Sequence, residues 1–444
     1  MLPSLIRRLT YFEAIFFAIM VATTESYALY YFTKNGLNHT EIAILASFPL
    51  LVGACAQLAV PWLTKRWPVG LTLICAIAVQ SIGIALILHF LLHPGPFWVL
   101  VASFMLYWAG GQTSGPMWMD WASVIIPSQD FPRYLGRRNI IATLVVLCFY
   151  VSCSFLLKEK TSFAVLFAGG LMARLGSLCL QTFLVLRSPH KSSKAVTENK
   201  NDAMTSLPYE RRKIFISFFL ISGLFRMACY LCSPFFMPYM INDLKLNTVD
   251  YVLLTAIPYI GRALFIQNWG RASKGIRPFW GAQIAAVFIA FLPPLWTMGT
   301  NFYYLSFLQI LSGIFWGGME MTMLLVVQNL YYGKARFLLS VQNTILVFFS
   351  VLGSLIGAQL LGSGLTYFNI FLISGCLRFV IALFLIFTLN KYHRISLHGW
   401  NSRVYLTSIL SLRPSLEAVG RIILPPRKKN PQEESTRRIH QINQ

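Results

Sequence analysis

Hydrophobic positions along this chain come in long blocks rather than in the one-sided stripes of a soluble helix. Twelve blocks occupy 9–32, 40–62, 69–92, 97–121, 139–157, 161–187, 213–240, 249–269, 279–298, 301–327, 338–361 and 365–390. A block of about 20 apolar residues spans the hydrocarbon core of a bilayer as an α-helix, the form that satisfies every backbone amide internally. Short polar turns separate most of the blocks. The separation at 188–212, SPHKSSKAVTENKNDAMTSLPYERR, is long and hydrophilic and divides them six and six. The pattern predicts an all-α polytopic membrane protein with 12 transmembrane helices as two pseudo-symmetric six-helix bundles. Its parts are an N-terminal bundle over 1–187, a linker over 188–212, a C-terminal bundle over 213–390 and a basic tail over 391–444.

The halves repeat each other in sequence. TEIAILASFPLLVG at 40–53 aligns with VDYVLLTAIPYIGR at 249–262, offset by 209 and pairing Pro49 with Pro258. The stretches from Gly115 to Asn139 and from Gly318 to Asn343 align at an offset of 203–204, as do Arg174 and Arg378. Three matches in one order at nearly one offset point to a six-plus-six repeat.

Composition agrees with a membrane protein: 56% hydrophobic, 12% charged and a mean hydropathy of +0.61. The net charge of +22 is distributed as a topology signal. With the N-terminus inside, inner loops, linker and tail, counting Arg187 and Lys213 at the linker's borders, collect 29 of the 37 Lys and Arg, and outer loops hold four, Lys34, Lys158, Lys160 and Lys245. That bias places both termini and the linker in the cytoplasm. No folded basic face with stacking residues is visible, so nucleic acid is not a partner. The eight Cys lie inside predicted spans with no CxxC or His/Cys cluster, so neither a metal nor another cofactor is expected. Asn38 matches a glycosylation sequon in a short outer loop. The tail segment 403–424 has the pattern of an interfacial amphipathic helix interrupted at Pro414.

Two motifs carry a family resemblance. WMDWASVIIPSQDFPRYLGRRN resembles the inner end of the fourth helix and the following loop in many bacterial members of the major facilitator superfamily, and NWGRASKGIRP resembles its Gly-rich loop between helices eight and nine. WLTKRWPVG, between helices two and three, lacks the Asp and the first Gly usual in that family. The resemblance implies two six-helix bundles, with helices one, four, seven and ten lining a central cavity and helices three, six, nine and twelve supporting it.

Ionisable groups inside spans are expensive and are functional candidates by default. On that map the cavity helices carry Glu13, Glu25, Asp120, Arg226 and Glu320, and helix eight adds Arg262. Glu25 and Arg226 each lie roughly 20 Å from the inner ends of their helices, at mid-membrane, and are expected to face each other across the cavity. Tyr230 shares the face of Arg226, while Trp316 and Gln112 lie on cavity helices and are further substrate-contact candidates. Glu320 and Arg262 lie at similar depth and are candidates to pair. Asp120 with Arg133, Arg137 and Arg138 is a candidate inner gate. Glu13 sits near the boundary, where a carboxylate reaches water. Arg174 and Arg378 occupy equivalent supporting positions and suit a scaffold role, hydrogen-bonding backbone carbonyls.

These features predict a secondary active transporter, acting as a monomer in the bacterial inner membrane. A guanidinium facing a carboxylate among hydroxyls suits a small anionic or zwitterionic organic solute with proton coupling. No P-loop is present for direct ATP coupling. The alternatives are efflux of amphipathic drugs, a membrane enzyme acting on lipid-linked substrates, and a transporter-like sensor. The outer loops are too short and too poor in acids to favour an enzyme.

Overall fold

The computed structural model describes residues 2–126, 131–155, 160–187, 209–272, 278–330 and 335–392. Among them the secondary structure is helical throughout, and twelve helical segments follow one another. Helix α1 is composite: Leu2–Met20, a π-helical turn at Val21–Glu25, then Ser26–Lys34. It is followed by α2 (His39–Arg66), α3 (Val69–Leu92), α4 (Phe97–Ile125), α5 (Phe131–Ser154) and α6 (Lys160–Arg187). In the second half, α7 runs over Tyr209–Tyr230, breaks into a 3₁₀ turn at Ser233–Phe235, and ends with Phe236–Pro238 and a π turn at Tyr239–Asp243. Then come α8 (Thr248–Ala272), α9 (Pro278–Trp296), α10 (Phe302–Leu330), α11 (Ala335–Gly362) and α12 (Tyr367–Tyr392). Eleven of these are long and apolar enough to cross a membrane, which makes the chain an integral membrane protein. α4 is long enough but is diluted by the run GGQTSGP.

Local chemistry explains the breaks. In α7 the interruption carries Pro234 and Pro238, neither of which can donate a helical hydrogen bond. The turn at Val21–Glu25 contains no Pro or Gly, and the hydropathy pattern gave no sign of it. Such π turns often mark functional sites, and this one ends on Glu25. The fifth helix also differs from expectation. It starts at Phe131, so Arg133, Arg137 and Arg138 lie on a helix and not in a loop.

The repeat is visible in the caps. Asn38 caps α2 by accepting the Glu41 amide at 2.8 Å, while Glu41 accepts the Asn38 amide at 2.9 Å. At the offset of 209, Asn247 accepts the Asp250 amide at 2.8 Å and donates its side-chain amide to the Asp250 carboxylate at 2.8 Å. Asn38 therefore has a structural duty of its own. Within each half, close helix crossings depend on glycine. An added Cβ at Gly261 or Gly313 would collide with the Ile310 or Pro258 carbonyl, so α8 and α10 meet backbone to backbone.

The two bundles join along two seams. On the first, α2 and α11 are linked by Ser354 donating to Ser47 at 2.7 Å, Thr344 donating to the Ala54 carbonyl at 3.3 Å and Asn343 donating to Gln57 at 3.1 Å. On the second, α1 and α5 meet α8 at the end of the bundle away from the linker. Tyr30 stacks on Tyr251 at 4.6 Å and bonds Thr248 at 2.9 Å, and Tyr150 bonds Thr255 at 2.7 Å. Tyr27, Tyr30, Tyr150 and Tyr251 are all buried, so this far end is closed. Toward the linker end, the side chains of Arg262 and Glu320 remain 44% and 52% exposed, so the space between the halves opens on that side.

Candidate substrate site

The N-terminal half places one carboxylate on a cavity lined by its own helices and keeps another away from it. Glu25, ending the π turn of α1, accepts a hydrogen bond from the Tyr107 hydroxyl of α4 at 2.6 Å. Around it lies a cavity of about 230 Å³ whose walls include Thr24, Phe104, Tyr107 and Trp108. Glu13 is buried, not water-facing as its position suggested. Its Oε2 is 2.8 Å from the Arg138 guanidinium, which also lies 3.8 Å above the Trp118 ring. Its Oε1 accepts from Ser177 at 3.1 Å, and Ser177 accepts from Arg174 at 3.3 Å. Arg174 also donates to the Gln80 carboxamide oxygen. One polar chain, Arg138–Glu13–Ser177–Arg174–Gln80, thus ties α5, α1, α6 and α3 together inside the bundle.

The C-terminal half is organised around a base. Arg226 on α7 donates to Ser350 and to the Tyr230 hydroxyl at 3.4 Å each, and its guanidinium lies 4.8 Å from the Tyr230 ring centre and 5.6 Å from that of Trp316. Among the described residues no carboxylate pairs with it. Two cavities meet at Arg226 and Trp316, one of about 240 Å³ toward the linker and one of about 350 Å³ toward the far end. Arg262 and Glu320 do pair, Nη2 to Oε2 at 2.5 Å, with Glu320 on the wall of the linker-side cavity. Arg378 is buried and donates to the Ile289 and Cys229 carbonyls at 3.3 and 3.0 Å and to Ser374 at 3.1 Å.

The expected partnership of Glu25 with Arg226 is not formed here. Each is held by its own half, Glu25 by Tyr107 and Arg226 by Ser350 and Tyr230. Tyr230 and Trp316 stand beside Arg226 as expected. Gln112 packs against Gly53 of α2. The candidate inner gate is rearranged. Arg138 goes to Glu13, Arg137 is exposed, Asp120 is half-buried at the end of α4, and the Arg133 side chain lies outside the described residues. The tail 393–444 also lies outside them, so the amphipathic segment is not placed.

Sequence reasoning missed Tyr107, Gln309 and Ser350. They are ordinary polar residues on apolar helices, and only the fold brings them to a charge or a cavity wall. For Tyr107 the signal was its place on a cavity helix at a depth close to Glu25.

Comparison with known proteins agrees with this architecture. Among curated proteins none matches in sequence. Solved structures with the same fold include a peptide transporter in complex with alafosfalin (TM-score 0.65, 14% identity, 87% of this chain and 95% of that one). The nucleoside transporter NupG aligns with a TM-score of 0.62 at 13% identity, over 87% of this chain and 99% of its own. A D-xylose-proton symporter aligns with a TM-score of 0.61 at 13% identity, over 86% and 96%. The family model described as Major Facilitator Superfamily matches residues 12–247, more than half of the chain, and the chain belongs to that superfamily.

Proposed function

We propose that this chain moves a small organic anion across the membrane by alternating access, with Arg226 as the anion-binding group and Glu25 as the proton-coupling group. Membership of the superfamily makes the chain a membrane transporter and not an enzyme. The observation that carries the substrate reading is the guanidinium of Arg226. It lies at the junction of two cavities, bonded among the described residues only to neutral hydroxyls, with aromatic rings on two sides. A guanidinium left without a counter-ion in such a place is a ready partner for a carboxylate. A zwitterion remains within this reading, its ammonium answered by Glu320 or Glu25.

Coupling by a direct Glu25–Arg226 switch needs the halves to approach further than they do here. In this conformation the Glu25 carboxylate accepts a hydrogen bond from the Tyr107 hydroxyl, and a proton taken up from water neutralises it. Deprotonation leaves a buried carboxylate that favours closure onto the positive wall of the other half. The charge bias across loops supports cytoplasmic termini in a bacterial inner membrane.

The test is uptake into proteoliposomes by Glu25→Gln across a pH series. The proposal expects transport that no longer responds to a proton gradient while substrate still binds. Full activity with an unchanged pH profile would remove Glu25 from the coupling mechanism.

One observation favours a second reading. Glu25 shares its cavity with Phe104, Tyr107 and Trp108, a setting that also suits a cationic amphiphile. Stabilisation of the protein by such cations, lost in Glu25→Gln and indifferent to Arg226, would select it.

A further inference from the structure

The space on the far side of Arg226 has a chemistry of its own. On α7, Ser222, Arg226, Tyr230 and Ser233 fall on one face, and on α10 Gln309, Ser312, Trp316 and Glu320 do so. Ser222 and Glu320 line the cavity toward the linker, whereas Tyr230, Ser233, Gln309 and Ser312 line the one toward the far end. The far-side alcove is the larger, about 350 Å³ against about 240 Å³.

Four aromatic side chains wall it: Tyr230, Phe236, Trp296 and Trp316. None of its described lining residues is acidic. Arg378 borders it too, but its donors are taken up by Ser374 and two backbone carbonyls, so it contributes positive potential and not a free hydrogen bond. Gln309 and Ser312 differ. Their side chains hydrogen-bond no described residue, although both face the alcove.

From this arrangement we infer that the substrate is an aromatic carboxylate whose ring bears a hydrogen-bonding group. The inference rests on the anion reading above. The carboxylate pairs with Arg226, the ring enters the alcove between Trp296 and Trp316, and its polar substituent meets Gln309 and Ser312. A purely anionic ligand is favoured over a zwitterion, because Glu320 is already neutralised by Arg262 at 2.5 Å while no described carboxylate neutralises Arg226. A solute entering from the open linker side passes Glu320, reaches Arg226 with its ring leading, and stops against the closed tyrosine seam.

The experiment is isothermal titration of the full-length, detergent-solubilised protein with 3-(4-hydroxyphenyl)propanoate, its neutral amide and propanoate. Two variants accompany the wild type. Ser312→Leu fills the alcove without touching Arg226, and Arg226→Ala removes the anion partner. Filling a half-buried serine site with leucine leaves the fold intact more readily than emptying the buried Trp296 position. The expected result is wild-type binding of the aromatic acid at least about tenfold tighter than propanoate, from the apolar surface of one buried ring. Ser312→Leu removes that margin, and Arg226→Ala removes binding of both acids. Equal affinity for aromatic acid and propanoate, or an aromatic margin that survives Ser312→Leu, overturns the alcove assignment and leaves the anion reading standing. Binding of the neutral amide as tight as that of the acid, or no binding of either acid, overturns both.

Discussion

The two halves repeat each other in topology, in their caps and in one arginine, yet they treat that arginine differently. Arg174 in the N-terminal half joins a chain of side chains that ends in the carboxylate of Glu13. Arg378, its counterpart, is buried just as deeply but is answered by backbone carbonyls and Ser374. The first bundle therefore links the guanidiniums of Arg138 and Arg174 to a carboxylate of its own. Among the described residues the second pairs Arg262 with Glu320 and leaves Arg378 and Arg226, beside its cavities, without a carboxylate. The lesson is that the shared arginine is tied into the interior of each half, while Glu25, Arg226 and Glu320, each charged in one half alone, line cavities. At the repeat offset of 209, Arg262 falls where the first half has Gly53, and at 203 Glu320 falls where it has Met117.

The contrast is broken most severely at Glu13. Glu13→Leu strips Arg138 of its carboxylate inside the bundle and should cost about 3–5 kcal/mol, the usual effect of orphaning one partner of a buried pair. The thermal midpoint of the purified protein reads this directly. Arg378→Leu is expected to cost less, about 1–3 kcal/mol in all, because Ser233 and the Cys232 amide still bond the Cys229 carbonyl. If Arg378→Leu proves as damaging as Glu13→Leu, the distinction between charge-paired and carbonyl-bound arginines is wrong.

A smaller effect is expected at the seam that closes the far end. Tyr150→Phe or Thr255→Val removes one inter-half hydrogen bond, a change of about 0.5–1.5 kcal/mol in favour of opening. Maleimide labelling of Cys153, buried among the same aromatics, should rise severalfold when followed by mass spectrometry. The two substitutions together should do no more than either alone, since they share one bond. The smallest change in stability is predicted for Glu320→Gln, whose ion pair is solvent-exposed, at about 0–1 kcal/mol. A large loss of folding stability there would mean that the pair holds the half together and does not serve the cavity.

Much of the fold was legible before any coordinates. Block length gave the helices, the hydrophilic run divided them, and the offset of Pro49 from Pro258 announced the repeat. Arg174 and Arg378 were legible as scaffold because they obey that repeat, and the pairing of Arg262 with Glu320 followed from their depth. What failed depended on direction more than depth. Glu13 near a helix end was assigned to water, but the end of α1 is wrapped by α5 and α6, which supply Arg138 and Ser177. Glu25 and Arg226 share a depth, yet the π turn at Val21–Glu25 rotates the carboxylate to where Tyr107 meets it. No residue type in VATTE signals that turn, so a rotation about the helix axis was invisible to a one-dimensional pattern.

The central claim is that the positive wall of the second half binds the solute. Its most direct test is a thermal-shift comparison of wild type, Arg226→Lys and Arg226→Ala against organic acids, amino acids, chelates and cationic drugs. A carboxylate at 100 times its Kd should stabilise the wild type by about 2.7 kcal/mol, with the effect reduced in Arg226→Lys and absent in Arg226→Ala. Equal stabilisation of Arg226→Ala by the same acid, or stabilisation only by cations, would contradict the account.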